Sequence, residues 1–206
     1  MAILDDLVPV PLQRFGPETL KSLRSDGKCE GLYFEFKSEW KPDDVTRCVC
    51  AFANQRGGYL MFGIATKADG CIESMPGLEP GPEYPLLAKD RIVGHISPLP
   101  VWDAVAVASP DDATRPILVI RVEESPRPPH VVTTSVNHYL RTPSACDPIT
   151  DRATFDALFA KARLGRAAVD ERSAQLTSLP FDSPMTEDKW AVTVIGVDRS
   201  PRSIRR

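Results

Sequence analysis

No apolar run in this 206-residue chain reaches the roughly 18 residues that a membrane span requires, and the first dozen residues carry Asp5 and Asp6 with no basic stretch. Neither insertion nor secretion is expected, and a cytoplasmic location is. Cysteine is sparse and odd in number: Cys29, Cys48, Cys50, Cys71 and Cys146 show no C-x-x-C spacing. That pattern predicts neither a disulfide framework nor a zinc site, and most of the five read as small buried hydrophobes. Internal repeats are absent, and so is the full G-x-x-x-x-G-K-[ST] phosphate loop, so nucleotide hydrolysis is not expected. A strong charge excess is missing too. The formal net charge of -3 gives no global attraction to nucleic acid, so any such binding would rest on local patches. Between residues 115 and 166 eight Arg and Lys (115, 121, 127, 141, 152, 161, 163, 166) stand against five acids (123, 124, 147, 151, 156). On that count alone a solvated mixed-charge face is the plainer reading.

What is present is ordinary globular material, 42% hydrophobic and 26% charged, with one exception: the 20 prolines are about twice the usual share. The length predicts one main domain with appendages. Residues 17–24 read as a short helix with Pro17 in its first turn, and LYFEFK at 32–37 alternates as a strand should, putting Glu35 and Lys37 on one side. Val45, Cys48, Val49 and Phe52 make a single apolar stripe on a helix that Asp43 or Asp44 can cap and that Gly57 and Gly58 can close. A buried strand follows at 59–65, then a turn at 67–70, a short return strand at 71–74 and a proline-glycine loop at 76–85. A helix at 86–96 and an antiparallel pair at 101–108 and 117–122 come next, then a strand at 137–141. The last helix is capped by Asp151, with its stripe at Phe155, Leu158, Phe159 and Ala162. Beyond residue 165 the pattern loosens, with one strand expected at 190–197 and an arginine-rich tail.

Four segments in order, EGLYFEFK, AFANQRGGYLMFGI, ESPRPPH and YLRTPS, resemble the successive hallmarks of the Schlafen-type AlbA-like domain, over residues 30–163. The resemblance implies an α+β fold, a mixed and largely antiparallel sheet flanked by helices. It divides the chain into a lead at 1–29, the domain at 30–163 and a loosely structured extension at 164–206. It also implies a nucleic-acid partner, RNA before DNA. No membrane partner is expected from the composition, and a homodimer is an open arrangement. Some members of the family are metal-dependent endoribonucleases using three acids and Mg²⁺ or Mn²⁺. Glu30 and Glu35 match two of the three acids, and Thr66 stands at the third position. A hydroxyl there is a poor ligand for a hard cation, and Asp69 or Glu73 in the following turn would have to replace it.

The residues themselves fit such chemistry in part. Carboxylates at the head of a strand can hold a metal that orients water on a phosphodiester, with Lys37 neutralising a phosphate. Glu30, Glu35 and Lys37 are thus the candidate catalytic residues, and Glu30, Glu35 and Asp69 the candidate metal ligands. Glu30 and Glu35 lie an odd number of positions apart, so they converge only if Glu30 sits in a bend before the strand. The plainer reading of Glu35 and Lys37 is a surface ion pair. Asn54, Arg56, Gly57 and Gly58 could hold a phosphate on backbone amides, although helix termination explains the glycines equally well. Tyr139 and Arg141 together suit base stacking with a phosphate contact, and His130 and His138 are further phosphate candidates. Three readings remain open: an RNA-directed domain with an endoribonuclease site, a non-catalytic DNA-binding regulatory module, and an ATP-binding module.

Overall fold

A computed structural model describes residues 7–8 and 11–177. In chain order it contains α1 (Pro17–Ser25), β1 (Phe34–Lys37), α2 (Pro42–Asn54), β2 (Gly58–Phe62), β3 (Ala65–Thr66) and β4 (Ile72–Ser74). These are followed by α3 (Tyr84–His95), β5 (Ile96–Ser97), β6 (Trp102–Ala108), β7 (Pro116–Val122), β8 (Val131–Val132), β9 (Tyr139–Arg141), β10 (Cys146–Pro148) and α4 (Arg152–Thr177). The main sheet has the order β1-β2-β7-β6, parallel between β1 and β2 and antiparallel elsewhere. The expected α+β architecture, a mixed and largely antiparallel sheet flanked by helices, is the one observed. Parallel neighbours need a crossover, and α2 supplies it between β1 and β2.

Alternation along the strands gives the sheet two different faces. Phe34, Phe36, Tyr59, Met61, Ile117 and Val119 form the back face, where the Phe34 ring stacks on Tyr59 with centroids 5.6 Å apart. Leu12, Phe15, Leu20 and Leu23 of the N-terminal lead cover it, so residues ahead of position 30 are part of the core. The front face presents Leu60, Phe62, Leu118, Ile120 and Val122 to α2 and α3. The α2 stripe is the expected one: Val45, Cys48, Val49 and Phe52 are all fully buried.

Local departures from the sequence reading have identifiable causes. Residues 30–33 bend, so β1 begins at Phe34. The apolar run at 59–65 is interrupted after Phe62 because Gly63 takes φ +92° and packs against the backbone of Gly77, 2.9 Å from where its Cβ would be. Helix α3 starts two residues early, with Pro85 tolerated in its first turn. Helix α4 runs past residue 163 to Thr177, and it buries Leu158 while leaving Phe159 52% exposed. The expected strand at 190–197 and the basic tail lie outside the described residues. One expectation is overturned: Cys29 and Cys71 form a disulfide, their residues also paired as an isolated antiparallel bridge. The odd count concealed this pair because the partners are far apart in sequence and meet only when the lead docks beside the β3–β4 hairpin. Cys48, Cys50 and Cys146 are free thiols and buried. No helix among the described residues is long and apolar enough to cross a membrane.

Candidate functional site

Strand β1 is an edge of the sheet, and its alternation turns Phe34 and Phe36 to the back and Glu35 to the front, beneath α2. Glu35 is only 4% exposed. A carboxylate buried this deeply requires cationic partners, and it has two. Lys37 Nζ lies 2.5 Å from Oε1, and Arg141 Nη1 lies 2.5 Å from Oε2. The second approach is an ion pair out of line for a hydrogen bond, so Oε2 is a buried acceptor with no hydrogen bond. The Glu35–Lys37 pair expected at the surface is therefore a largely enclosed one.

Arg141 is fully buried, contrary to its reading as a phosphate contact. Its Nε donates to the Gly31 carbonyl at 2.7 Å and its Nη2 to the Phe34 carbonyl at 3.0 Å, while the guanidinium lies over the Phe52 ring, 5.7 Å from the centroid. These bonds fasten β9 to the segment entering β1. A guanidinium with a rigid fork of donors suits this task better than an ammonium would. Tyr139, two residues away, packs against the front core and does not share a surface with Arg141. It lines a shallow groove with Asp43, Thr46, Arg47, Thr134 and Ser135.

Two thiols complete the cluster. Cys48 from α2 and Cys146 from β10 approach each other and Glu35, with one ligand-type atom from each residue lying within 4.8 Å of the others. The Cys146 thiol is held below the ordinary thiol range, first by a hydrogen bond from Cys48 and then by the charge of Arg141. Cys48, the partner in that bond, is pushed up. Sequence reasoning missed both residues, because neither has a neighbour at ligand spacing.

Glu30 occupies the bend that its spacing from Glu35 required. Its Oε1 accepts the Phe36 amide at 3.1 Å, and its carboxyl is held above the ordinary glutamate range by burial and then by the charge of Glu35. The third acid does not join them. Asp69 is exposed at the tip of the β3–β4 hairpin, with Oδ1 accepting the Cys71 amide at 3.0 Å, and Glu73 is exposed as well. Thr66 is half-buried in β3. Among the described residues Glu30, Glu35 and Asp69 do not bring three ligand atoms within 4.8 Å of one another. A hard cation such as Mg²⁺ or Mn²⁺ needs several accessible oxygens, and Glu35 would have to leave two cations to offer its own. The expected three-carboxylate set does not fit this site.

The Asn54–Gly58 turn is likewise occupied by the fold. Asn54 is fully buried: its Nδ2 donates to the carbonyls of His130 (3.1 Å) and Tyr139 (2.9 Å), and its Oδ1 accepts the His130 amide at 2.6 Å. The Gly57 amide donates to Phe52 O at 2.9 Å, and the Tyr59 amide to Tyr33 O at 2.7 Å. A Cβ on Gly58 would fall 2.3 Å from the Phe52 ring, so the glycine is there for packing. The reading of these amides as a phosphate cradle is corrected accordingly. Only Arg56 of this group faces solvent, with one bond to the Tyr33 hydroxyl at 3.4 Å. His130 is buried, with Nδ1 2.6 Å from the Pro98 carbonyl and its pKa lowered by that burial, and His138 Nδ1 is 2.8 Å from the His130 carbonyl. His130 thus serves the interior, and no surface is left on it for a phosphate.

One solved structure similar to the chain is the DIP2311 protein from Corynebacterium diphtheriae, at 19% identity and a TM-score of 0.45, covering 69% of this chain and 31% of that one. Another is the N-terminal domain of a putative ATP-dependent DNA helicase RecG-related protein from Nitrosomonas europaea. It is 20% identical with a TM-score of 0.41, covering 66% of this chain and 94% of that one. No curated protein matches the chain. The family model described as Schlafen, AlbA_2 matches residues 30–150, more than half of the chain and all of the buried cluster, and this membership suggests a nucleic-acid-binding domain. The chain belongs to the Schlafen AlbA_2 family.

Proposed function

We propose that the domain binds RNA and leaves it intact. The observation that carries this reading is the state of Glu35, the residue on which a nuclease reading depends: it is enclosed between Lys37 and Arg141, and Thr66 stands where a third acid would be needed. The cluster then acts as an internal brace that holds β9 and the bend before β1 in register. Binding falls to the surface, where Arg56 is exposed beside Tyr33 and Arg47 borders the Tyr139 groove. Backbone phosphates supply most of the affinity in such complexes, and exposed aromatic rings supply stacking. With a net charge of -3, the affinity must come from such patches and must fall steeply with salt.

Labelled transfer RNA and single-stranded DNA, incubated with the purified chain in Mg²⁺, Mn²⁺ or EDTA, test this directly. The expected result is retarded but uncut RNA under all three conditions, weaker retardation of the DNA, and weaker RNA binding by Arg56→Ala. Cleavage that requires metal and disappears in Lys37→Ala would overturn the non-catalytic reading. An absence of retardation for either nucleic acid at low salt would overturn binding itself.

A further inference from the structure

We infer that the groove between the start of α2 and the turn after β8 is a pocket for one guanine base of a single-stranded RNA. The inference rests on the RNA-binding reading and adds to it which base is held and by what. Asp43, Thr46 and Arg47 reach the groove from α2, and Thr134 and Ser135 from the turn. The cavity has a volume of about 240 Å³, below the roughly 300 Å³ at which sites for drug-sized ligands begin, so it takes one base and not a stacked pair. Val132 and the Tyr139 ring form its apolar walls, and the ring gives a base a face to stack on.

The side chain that selects the base is Asp43. It is exposed, and its carboxylate makes no hydrogen bond or ion pair among the described residues, although Arg47 stands four positions on along the same helix face. Arg47 is engaged elsewhere: its Nη2 lies 2.6 Å from Asp44 Oδ1, and its side chain stays 43% exposed at the rim. Thr46 donates its hydroxyl proton to the Asp43 carbonyl at 3.1 Å, which braces the turn that carries the carboxylate. A free carboxylate offers two acceptor oxygens side by side and no donor. Guanine alone among the four bases presents two adjacent donors, N1–H and the N2 amino group, on its Watson–Crick edge. Adenine and cytosine each set an acceptor beside their amino group, and uracil flanks its one N–H with two carbonyl oxygens, so a carboxylate meets repulsion on those three edges. The Thr134 and Ser135 hydroxyls, both on exposed residues, can donate to guanine O6. The negative charge of Asp43 repels a phosphate placed inside the groove, so the groove suits a base edge, and Arg47 at the rim takes the adjoining phosphate without base preference.

The test uses the full chain and labelled oligouridylates that differ at one central position, which is guanosine, inosine, adenosine or cytidine. The guanosine oligomer should bind about tenfold more tightly than the adenosine and cytidine oligomers, the effect of one bidentate base contact. Inosine keeps N1–H and lacks the N2 amino group, so its oligomer should fall in between. Asp43→Asn, at an exposed position without side-chain partners among the described residues, should bring the guanosine oligomer to the level of the adenosine one. Equal affinities for all four oligomers would overturn the guanine pocket and leave RNA binding standing. A guanosine preference that survives Asp43→Asn would overturn it too, because the carboxylate would then not be the contact. If no oligomer is retained at low salt, RNA binding itself fails, and the pocket with it.

Discussion

The two faces of the sheet are closed by different physics. On the back, rings and aliphatic side chains from β1, β2 and β7 meet Leu12, Phe15, Leu20 and Leu23, and the polar contacts are peripheral. Arg24 Nη1 donates to both carboxylate oxygens of Asp111, at 2.8 and 3.0 Å, and Asp111 also accepts the Met75 amide at 2.7 Å. On the front, the same alternation that buries Leu60 and Ile120 also buries Glu35, and an arginine from a distant hairpin must follow it inside. An apolar face tolerates imperfect contacts at a graded cost, whereas a buried ionic cluster fails abruptly when one member is lost.

That contrast can be broken most sharply at Arg141. Arg141→Ala strands Glu35 without its main buried cation, and urea unfolding of chelator-treated protein should show a loss of about 3–5 kcal/mol. Glu35→Leu combined with Arg141→Met should lose clearly less than Arg141→Ala alone. Equal losses would mean that the cluster contributes packing and not charge compensation. On the back face Leu20→Ala, at a fully buried position, should cost about 2–5 kcal/mol in the same assay. A cost near zero would show that the lead is an appendage to the domain after all.

Gly58→Ala is expected to be milder, about 1–3 kcal/mol, since the new methyl group must displace the Phe52 ring and approaches the Tyr33 carbonyl, 2.8 Å away. The smallest effect is at Asp111, whose carboxyl is held below the ordinary aspartate value of 3.8, first by the Met75 amide and then by Arg24. A lowered folded-state pKa contributes stability that is present above 3.8 and lost as pH falls through the folded-state value. The Tm difference between wild type and Asp111→Asn should therefore be small at neutral pH, because the site is partly exposed, and should vanish on acidification. A difference that grew with acid would reverse the sign of this account.

Much of the fold was legible in the sequence because it depends on short-range periodicity. The α2 stripe, the β6–β7 pair, the β3–β4 return and the Asp151 cap, whose Oδ1 accepts the Thr154 amide at 2.8 Å, all follow from spacing and capping chemistry. The candidate site was legible only in part. Glu30, Glu35, Lys37, Asn54 and Arg141 each stood out as candidates, Cys48 and Cys146 did not, and the side of the surface on which each would lie was not legible at all. Arg141 reads as a surface cation in β9 until Gly31, Phe34 and Glu35 are brought to it. Asn54 similarly reads as a turn residue until the His130 and Tyr139 backbones close over it.

The sequence by itself determined the order of the larger elements, the α+β class and the family, since apolar periodicity and motif order are local properties of the chain. Only the tertiary structure decided that Arg141 is internal, that Cys29 meets Cys71, and that Glu35, Cys48 and Cys146 share one buried site. Each of those outcomes joins segments far apart in the chain. Burial and ion pairing depend on which surfaces dock, and no local pattern records that.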